Sequence, residues 1–334
     1  MMKIKSRGMN ADARKWLTLF ILTFLCALIY VYLSNDEPIR PIPDVDNLNL
    51  QQVELGGFLF NDVRLSKGAQ LSCASCHSMT MGGADAQVVS TGVDRRKGNI
   101  NSPSVFNSSL NFRQFWDGRA ANLMEQVDGP IANPKEMDFS WEQAIEILKK
   151  DSFYVEMFKS AYTDGLTILN MRKAIVSFEE SLLTPNSRFD LYLKGDETAI
   201  SQRELEGYHL FKQYGCISCH QGVAVGGNLF RPFGVHGDYF KDRGDITEAD
   251  YGRFAVTQKE IDRFVFKVPS LRNIELTAPY FHDGSQETLL AAVNIMMKYQ
   301  LGRVPKENSS LLIVGFLKTL TGQYQGKSLK KKGQ

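Results

Sequence analysis

The chain has 334 residues, 43% of them hydrophobic, with 39 Lys and Arg against 37 Asp and Glu for a formal net charge of +2. That balance is ordinary for a globular protein of about two domains. It excludes bulk disorder and the strongly basic balance of a nucleic-acid binder, so no nucleic-acid partner is expected.

Lys3, Lys5, Arg7, Arg14 and Lys15 precede an uncharged run to Asn35, whose apolar core Trp16–Leu33 is 18 residues long. A membrane-crossing helix needs roughly 17–25 such residues, whereas a signal-peptide core has roughly 7–15 and ends in an A-x-A-like site. No such site is present here. Residues 1–35 therefore read as an uncleaved signal anchor, with a cleaved signal peptide as the alternative. The basic side stays in the cytoplasm, which puts the remainder in the periplasm, tied to the inner membrane through this helix. Taking away residues 1–33 removes five positive charges and Asp12, leaving the exported part near −2. Any partner is then met by a local patch. Residues 36–46, with Pro38, Pro41 and Pro43, read as a linker.

Two similar units follow, 47–195 and 196–323, and a basic tail, 324–334, ends the chain. Gly57-Phe58-Leu59-Phe60 and Gly207-Tyr208-His209-Leu210-Phe211 each precede a Cys-x-x-Cys-His motif, and a Gly-Gly pair follows each. This similarity spans about 25 residues per copy and points to a duplicated domain. Between the motifs the signals are helical. Ser140-x-x-Gln143 and Ser201-x-x-Glu204 are capping-box patterns. Ile168, Met171, Ile175, Phe178 and Leu182 recur at helical spacing up to Pro185, and Leu289, Val293, Met296 and Gln300 share a later face. Strand alternation is scarce. The expected fold is mainly α: two domains built around Cys-x-x-Cys-His, the attachment signature of a c-type haem, and hence two cytochrome c-like haem domains, after an N-terminal transmembrane or signal-anchor helix. The stretch Gly82–Pro103 lacks periodicity and reads as a long functional loop, with Arg95-Arg96-Lys97 as a solvated run.

Of five cysteines, Cys26 lies in the apolar run and four form Cys73-Ala74-Ser75-Cys76-His77 and Cys216-Ile217-Ser218-Cys219-His220. In this motif two thiols form thioethers to a haem edge and the adjacent His reaches the iron. Zinc held by Cys and His would leave the repeated adjacent His unexplained. Two covalent haems c are expected, with His77 and His220 as proximal ligands. The sixth ligands decide what each haem does. No His lies between 77 and 209, so the first haem cannot draw a second His from its own domain. Met296 is a candidate for the second haem, although it also reads as a core Met and Met297 adjoins it. His282 is either structural or a donor at the haem edge, and His209 and His236 read as surface or packing residues.

The chain resembles the bacterial dihaem cytochrome c peroxidase family over most of residues 50–323. The resemblance is carried by Leu71–His77, Asn101-Ser102-Pro103-Ser104-Val105-Phe106-Asn107, Gln114-Phe115-Trp116-Asp117-Gly118-Arg119-Ala120, Asn133-Pro134-Lys135-Glu136-Met137 and Thr184-Pro185-Asn186. In the second unit it continues through Gly252–Thr257, Pro269-Ser270-Leu271-Arg272-Asn273-Ile274 and Leu276–His282. It implies reduction of hydrogen peroxide to two waters with electrons from a small cytochrome c or cupredoxin. It implies that the haem on His220 and Met296 receives electrons, that Trp116 relays them, and that the haem on His77 meets peroxide beside Gln126 and Glu136. A carboxylic group at Glu136 could take a proton from peroxide and return it to the leaving oxygen, worth about 10²–10⁴-fold. The resemblance further implies a calcium ion on the Asn101 side chain and the Thr277 and Pro279 carbonyls, and a homodimer.

One departure stands out. Many family members carry, in the long loop, a His that caps the first haem until the second is reduced. Counting back from Asn101-Ser102-Pro103 puts Val93 there, so the latch is expected to be missing unless Met79, Met81 or Lys97 substitutes. Two other readings remain: a dihaem oxidase that modifies a partner protein, which would place a Tyr such as Tyr299 on the second haem, and a membrane-tethered electron carrier or redox sensor.

Overall fold

The computed structural model describes residues 12, 15–24, 37–44 and 47–330. Residues 15–24 are helical and exposed, while the rest of the expected anchor core, with Cys26, lies outside the described residues. Among the described residues no helix is long and apolar enough to cross a membrane, so the expected transmembrane helix is not part of the described fold.

The described residues from 39 to 330 make one compact unit, mainly helical as expected. Two hydrophobic cores lie within it. The first is built from α1 (Leu50–Asn61), α2 (Trp141–Leu148), α3 (Ser152–Ala161) and α4 (Ile168–Ser181). The second is built from α5 (Gln202–Tyr214), α6 (Leu289–Ile295) and α7 (Glu307–Lys318). The caps explain the boundaries. Ser140 accepts from the Gln143 amide at the start of α2, Thr167 from Asn170 at α4, and Ser201 with Glu204 closes a full capping box at α5. Gly215, at φ 93°, ends α5 in the left-handed region one residue before Cys216.

The two cores repeat one design. A Cβ at Gly56 would lie 1.9 Å from the Ala174 carbonyl oxygen, and one at Gly207 would lie 2.0 Å from that of Leu312. Only glycine lets α1 meet α4, and α5 meet α7, that closely. The repeat extends well beyond the motif-flanking stretches. Ser104 donates to the Gly82 carbonyl (2.6 Å) and Ser270 to that of Ala224 (2.8 Å). Asn107 and Asn273 are both left-handed, at φ 61° and 60°. Their side chains converge on one buried hydroxyl, Thr184 Oγ1, at 2.8 and 3.0 Å. Strand β1 (Phe230–Pro232) pairs antiparallel with β2 (Val265–Lys267), with Phe230 opposite Lys267.

The ends are not the free linker and tail that their composition suggests. Ile39 and Ile42 are buried, and Arg272 Nη2 donates to the Arg40 carbonyl at 2.8 Å, so the segment before the first core is fixed to the second. The other end crosses back. Gln323–Tyr324 pairs with Lys327–Ser328, and Tyr324 and Leu329 pack on the first core.

Candidate haem sites

Each Cys-x-x-Cys-His motif is a tight turn whose last residue folds back: His77 N–H donates to the Cys73 carbonyl (2.9 Å) and His220 N–H to that of Cys216 (3.0 Å). His77 Nδ1 lies 3.2 Å from the Gly83 carbonyl, and His220 Nδ1 lies 3.3 Å from that of Val225. A carbonyl only accepts, so in both rings Nδ1 carries the hydrogen and Nε2 keeps a lone pair for a metal. Burial lowers the pKa of both imidazoles, that of His220 to about 4, and keeps them neutral. The four cysteines form no disulfide. Burial pushes the Cys73 and Cys216 thiols up to about 12 and that of Cys76 to about 11. Such apolar settings disfavour the thiolates of a zinc site and suit sulfurs capped as thioethers. The residues present are those a covalent haem needs.

One cavity gathers Cys216, Cys219, His220 and Met296, walled by Phe211, Val293 and Leu317. The periodic face expected here is altered, since Met296–Gln300 winds as a π-helix. The two methionines differ in employment. Met297 belongs to the second core and its Sδ accepts from Ser310 Oγ at 3.4 Å. Both methionines line the cavity that holds His220, but among the described residues Met296 makes no such bond and its sulfur is uncommitted. Tyr299 is engaged elsewhere: its hydroxyl donates to Asp242 at 2.9 Å and accepts from Lys298 at 2.8 Å.

Around His77 the surroundings are different. Glu136 is half-buried, and its charge is felt by both Cys73 and Cys76. Burial raises its pKa, against the hydrogen bond from Asn133 Nδ2 to Oε1 (2.6 Å) and the nearby Arg119 guanidinium. Oε2 has no hydrogen bond among the described residues. Gln126 is half-buried at the end of the turn Leu123–Gln126, with its amide likewise unbonded among the described residues. Val93 is fully buried, and its N–H donates to the Glu136 carbonyl at 2.8 Å. Met81 is exposed, Met79 packs on the first core, and Lys97 donates to Thr91 Oγ1 at 2.7 Å.

Trp116 lines the same cavity as His220, and its Nε1 donates to the Asn101 carbonyl at 2.9 Å. The Asn101 side-chain nitrogen donates to the Gln87 and Val88 carbonyls, at 2.8 and 3.3 Å, leaving Oδ1 as the free end. Asn101, Thr277 and Pro279 line the same cavity and offer neutral oxygens of the kind calcium accepts. His282 is buried and donates to Asp250 at 2.7 Å. Asp250, His282 and Asp283 lie together, but Arg243 Nη1 already bridges the two carboxylates at 2.8 and 2.6 Å and fills the place of a cation. Burial opposes ionisation of Asp250, but the hydrogen bonds from His282 and Arg243 hold it well below the usual carboxylate range. His209 and His236 are exposed.

Thr184 as the shared anchor, Glu179 and Lys267 do not stand out in the sequence. A usable signal was present in the recurrence of Pro-Ser-x-x-Asn at Pro103 and Pro269, and of Phe-x-Asp-Gly at Phe115 and Phe281.

Residues 50–198 match the di-haem cytochrome c peroxidase family. The chain is 49% identical over 291 residues to cytochrome c551 peroxidase of Nitrosomonas europaea, covering 87% of this chain and 86% of that one. It is 44% identical over 301 residues to the cytochrome c peroxidase of Escherichia coli, covering 88% of this chain and 64% of that longer one. Among solved structures, a MauG-like protein associated with microbial copper homeostasis superposes with a TM-score of 0.74 at 27% identity, over 86% of this chain and 95% of the other. Taken with two matched Cys-x-x-Cys-His turns, each presenting a free imidazole Nε2, these likenesses mean that the chain belongs to the di-haem cytochrome c peroxidase family.

Proposed function

We propose that this cytochrome c peroxidase gives its two haem sites unlike tasks: the His220–Met296 site accepts electrons from a small cytochrome c or cupredoxin, and the His77 site holds hydrogen peroxide beside Glu136. The observation that carries this reading is the inequality of the surroundings. A methionine shares the His220 cavity, while a protonatable carboxyl lies within electrostatic reach of Cys73 and Cys76. When bound, the haems supply the two electrons that, with two protons, turn one peroxide into two waters.

The protein supplies position and protons. Asn133 holds Glu136 Oε1, which leaves Oε2 to take a proton from one peroxide oxygen and return it to the other. The raised pKa of Glu136 brings that exchange closer to neutral pH. Gln126 would orient peroxide through its unbonded amide. The Trp116 ring, fixed through Asn101, would lie on the electron path. We assign residues 47–195 to the peroxide-reacting unit and 196–323 to the electron-accepting unit. Asn101 Oδ1 with the Thr277 and Pro279 carbonyls would hold a calcium ion and stiffen the region between them. The basic and then apolar N-terminal segment would direct the catalytic part to the periplasm and tether it to the inner membrane.

The test is steady-state peroxide turnover with a reduced small cytochrome, in wild type and Glu136→Gln. Turnover in wild type and its loss in the variant is the expected result. Equal turnover in both would remove Glu136 from the mechanism.

A further inference from the structure

The cavity that holds Cys216, Cys219, His220 and Met296 is electrostatically one-sided. Three cations line it, Arg231, Lys267 and Arg272, and among the described residues no aspartate or glutamate does. Arg272 is already employed: Nη1 pairs with Asp190 at 2.8 Å, Nε donates to the Val223 carbonyl and Nη2 to that of Arg40. Arg231 is exposed to water. Lys267 is different from both. It is only 7% exposed, and its ammonium has no hydrogen-bond or ion-pair partner among the described residues.

A buried, unpaired ammonium is costly, because it leaves water without gaining an anion. Burial alone draws the Lys267 pKa down to about 8. The position is not a generic feature of the repeated fold. Lys267 N–H donates to the Trp116 carbonyl at 2.8 Å, as Asn101 N–H in the other half donates to that of His282 at 2.7 Å. The two are equivalent places, and only Lys267 is a cation. The pairing of β1 with β2 fixes the Lys267 backbone, so its side chain is held to this cavity. The anion must therefore come from what the cavity receives, and a haem brings two carboxylates.

We propose that Lys267 would form an ion pair with a propionate of the second haem, and that this pair would help keep the His220–Met296 site at high potential. This rests on the reading of the cavity as a haem site. With Lys267 present, the propionate charge is compensated. Without it, an uncompensated carboxylate favours the ferric form and lowers the potential. Lys267 is thus a positioning and tuning residue, acting on the haem periphery rather than on peroxide.

The experiment uses the full-length, haem-loaded protein as wild type, Lys267→Met, Lys267→Gln and Lys267→Arg. Haem content is counted first, then the midpoint potential of the Met-ligated haem is measured by spectroelectrochemical titration and its propionate vibrations by resonance Raman. Expected are two haems per chain in all four proteins, a downward shift of potential with altered propionate vibrations in the Met and Gln variants, and near wild-type behaviour in the Arg variant. Two haems per chain with unmoved potential and unmoved propionate vibrations in Met and Gln variants would overturn the pairing. Fewer than two haems in the wild type would overturn the haem reading itself, a result distinct from the former.

Discussion

Trp116 and His282 occupy equivalent turns in the two halves and meet edge to face, with ring centroids 6.3 Å apart and planes at 70°. The residue before each, Phe115 or Phe281, is left-handed at φ 67° and 72°. Their backbones are cross-tied: Asn101 N–H donates to the His282 carbonyl and Lys267 N–H to that of Trp116. The Trp116 ring closes the circuit by donating back to Asn101. Replacing Trp116 with Phe keeps an aromatic ring and removes this donor. The expected cost is about 1 kcal/mol of stability and a loss of turnover on the order of tenfold or more, from disturbed geometry between the sites. Thermal unfolding and peroxide kinetics at full haem content measure both. Wild-type turnover in the variant would show that neither the indole nor its hydrogen bond to Asn101 is needed for electron transfer.

Glu136→Gln is nearly isosteric and keeps an oxygen for the Asn133 amide to donate to, so folding should be preserved. What disappears is the proton carried at Oε2. Turnover should fall by about 10²–10⁴-fold. The wild-type pH profile should contain a limb displaced upward from the ordinary carboxylate range, because burial raises the Glu136 pKa. That limb should be absent in the variant, and a limb that persists unchanged would belong to another group.

The helices were legible because their caps are local: Ser140, Ser201 with Glu204, and the stop before Pro185 all act within a few residues. The haem turns were legible because five residues carry the chemistry. The duplication was legible only in part, since many equivalent positions differ in type. Trp116 stands opposite His282, Asn101 opposite Lys267, and Phe106 opposite Arg272. What repeats is backbone shape, such as the left-handed Asn107 and Asn273, and shape is only weakly written in side-chain identity. Ile39, Ile42 and Leu329 were hidden for another reason. Single apolar residues in polar segments have no period, yet Ile39 packs on the second core, Leu329 packs on the first, and Ile42 is buried.

Gly56→Ala and Gly207→Ala should both be destabilising, because a Cβ at either position would overlap a carbonyl of the partner helix that holds no spare room. Overpacking of this kind costs about 1–3 kcal/mol. Each change should act on its own core, so Gly56→Ala should loosen the His77 site first and Gly207→Ala the His220 site. Hydrogen exchange resolved by segment would show this, and uniform protection in both variants would contradict it.

Glu179 gives a stability prediction with a definite sign. It is buried on α4, at the place that Leu317 holds beside the second haem cavity, and its Oε2 has no partner among the described residues. Burial raises its pKa from 4.5 to about 8. Between those values the folded chain keeps a proton that the unfolded chain has released, so stability falls as pH rises through that window and levels off above about 8. Glu179→Gln removes the ionisation and should flatten the slope. The variant should gain on the order of 1–3 kcal/mol relative to wild type at alkaline pH, with little difference near pH 4. Denaturant unfolding at several pH values tests this, and parallel curves for the two proteins would reject it.

Val93 is the residue at which the resemblance leads one to expect a capping His, and its surroundings show how the loop is held. Its side chain is fully buried, and its N–H is bonded to the Glu136 carbonyl. On either side, Arg96 reaches the Pro134 carbonyl at 2.8 Å and Asp138 at 3.1 Å, while Lys67 bridges Asp94 and Asp138 at 3.1 and 2.9 Å. Exposed pairs of this kind each contribute little, so the backbone bond and the buried valine carry most of the hold. Lys97 is turned to Thr91, and Met81 faces solvent. The fully oxidised enzyme should therefore contain a high-spin first haem that binds peroxide without prior reduction. Val93→His should convert it to a protein that is low-spin at both haems and sluggish until half-reduced. Electron paramagnetic resonance and stopped-flow mixing with peroxide distinguish the two. A wild-type first haem that is six-coordinate, low-spin and inert when oxidised would show that another side chain takes the place of the latch.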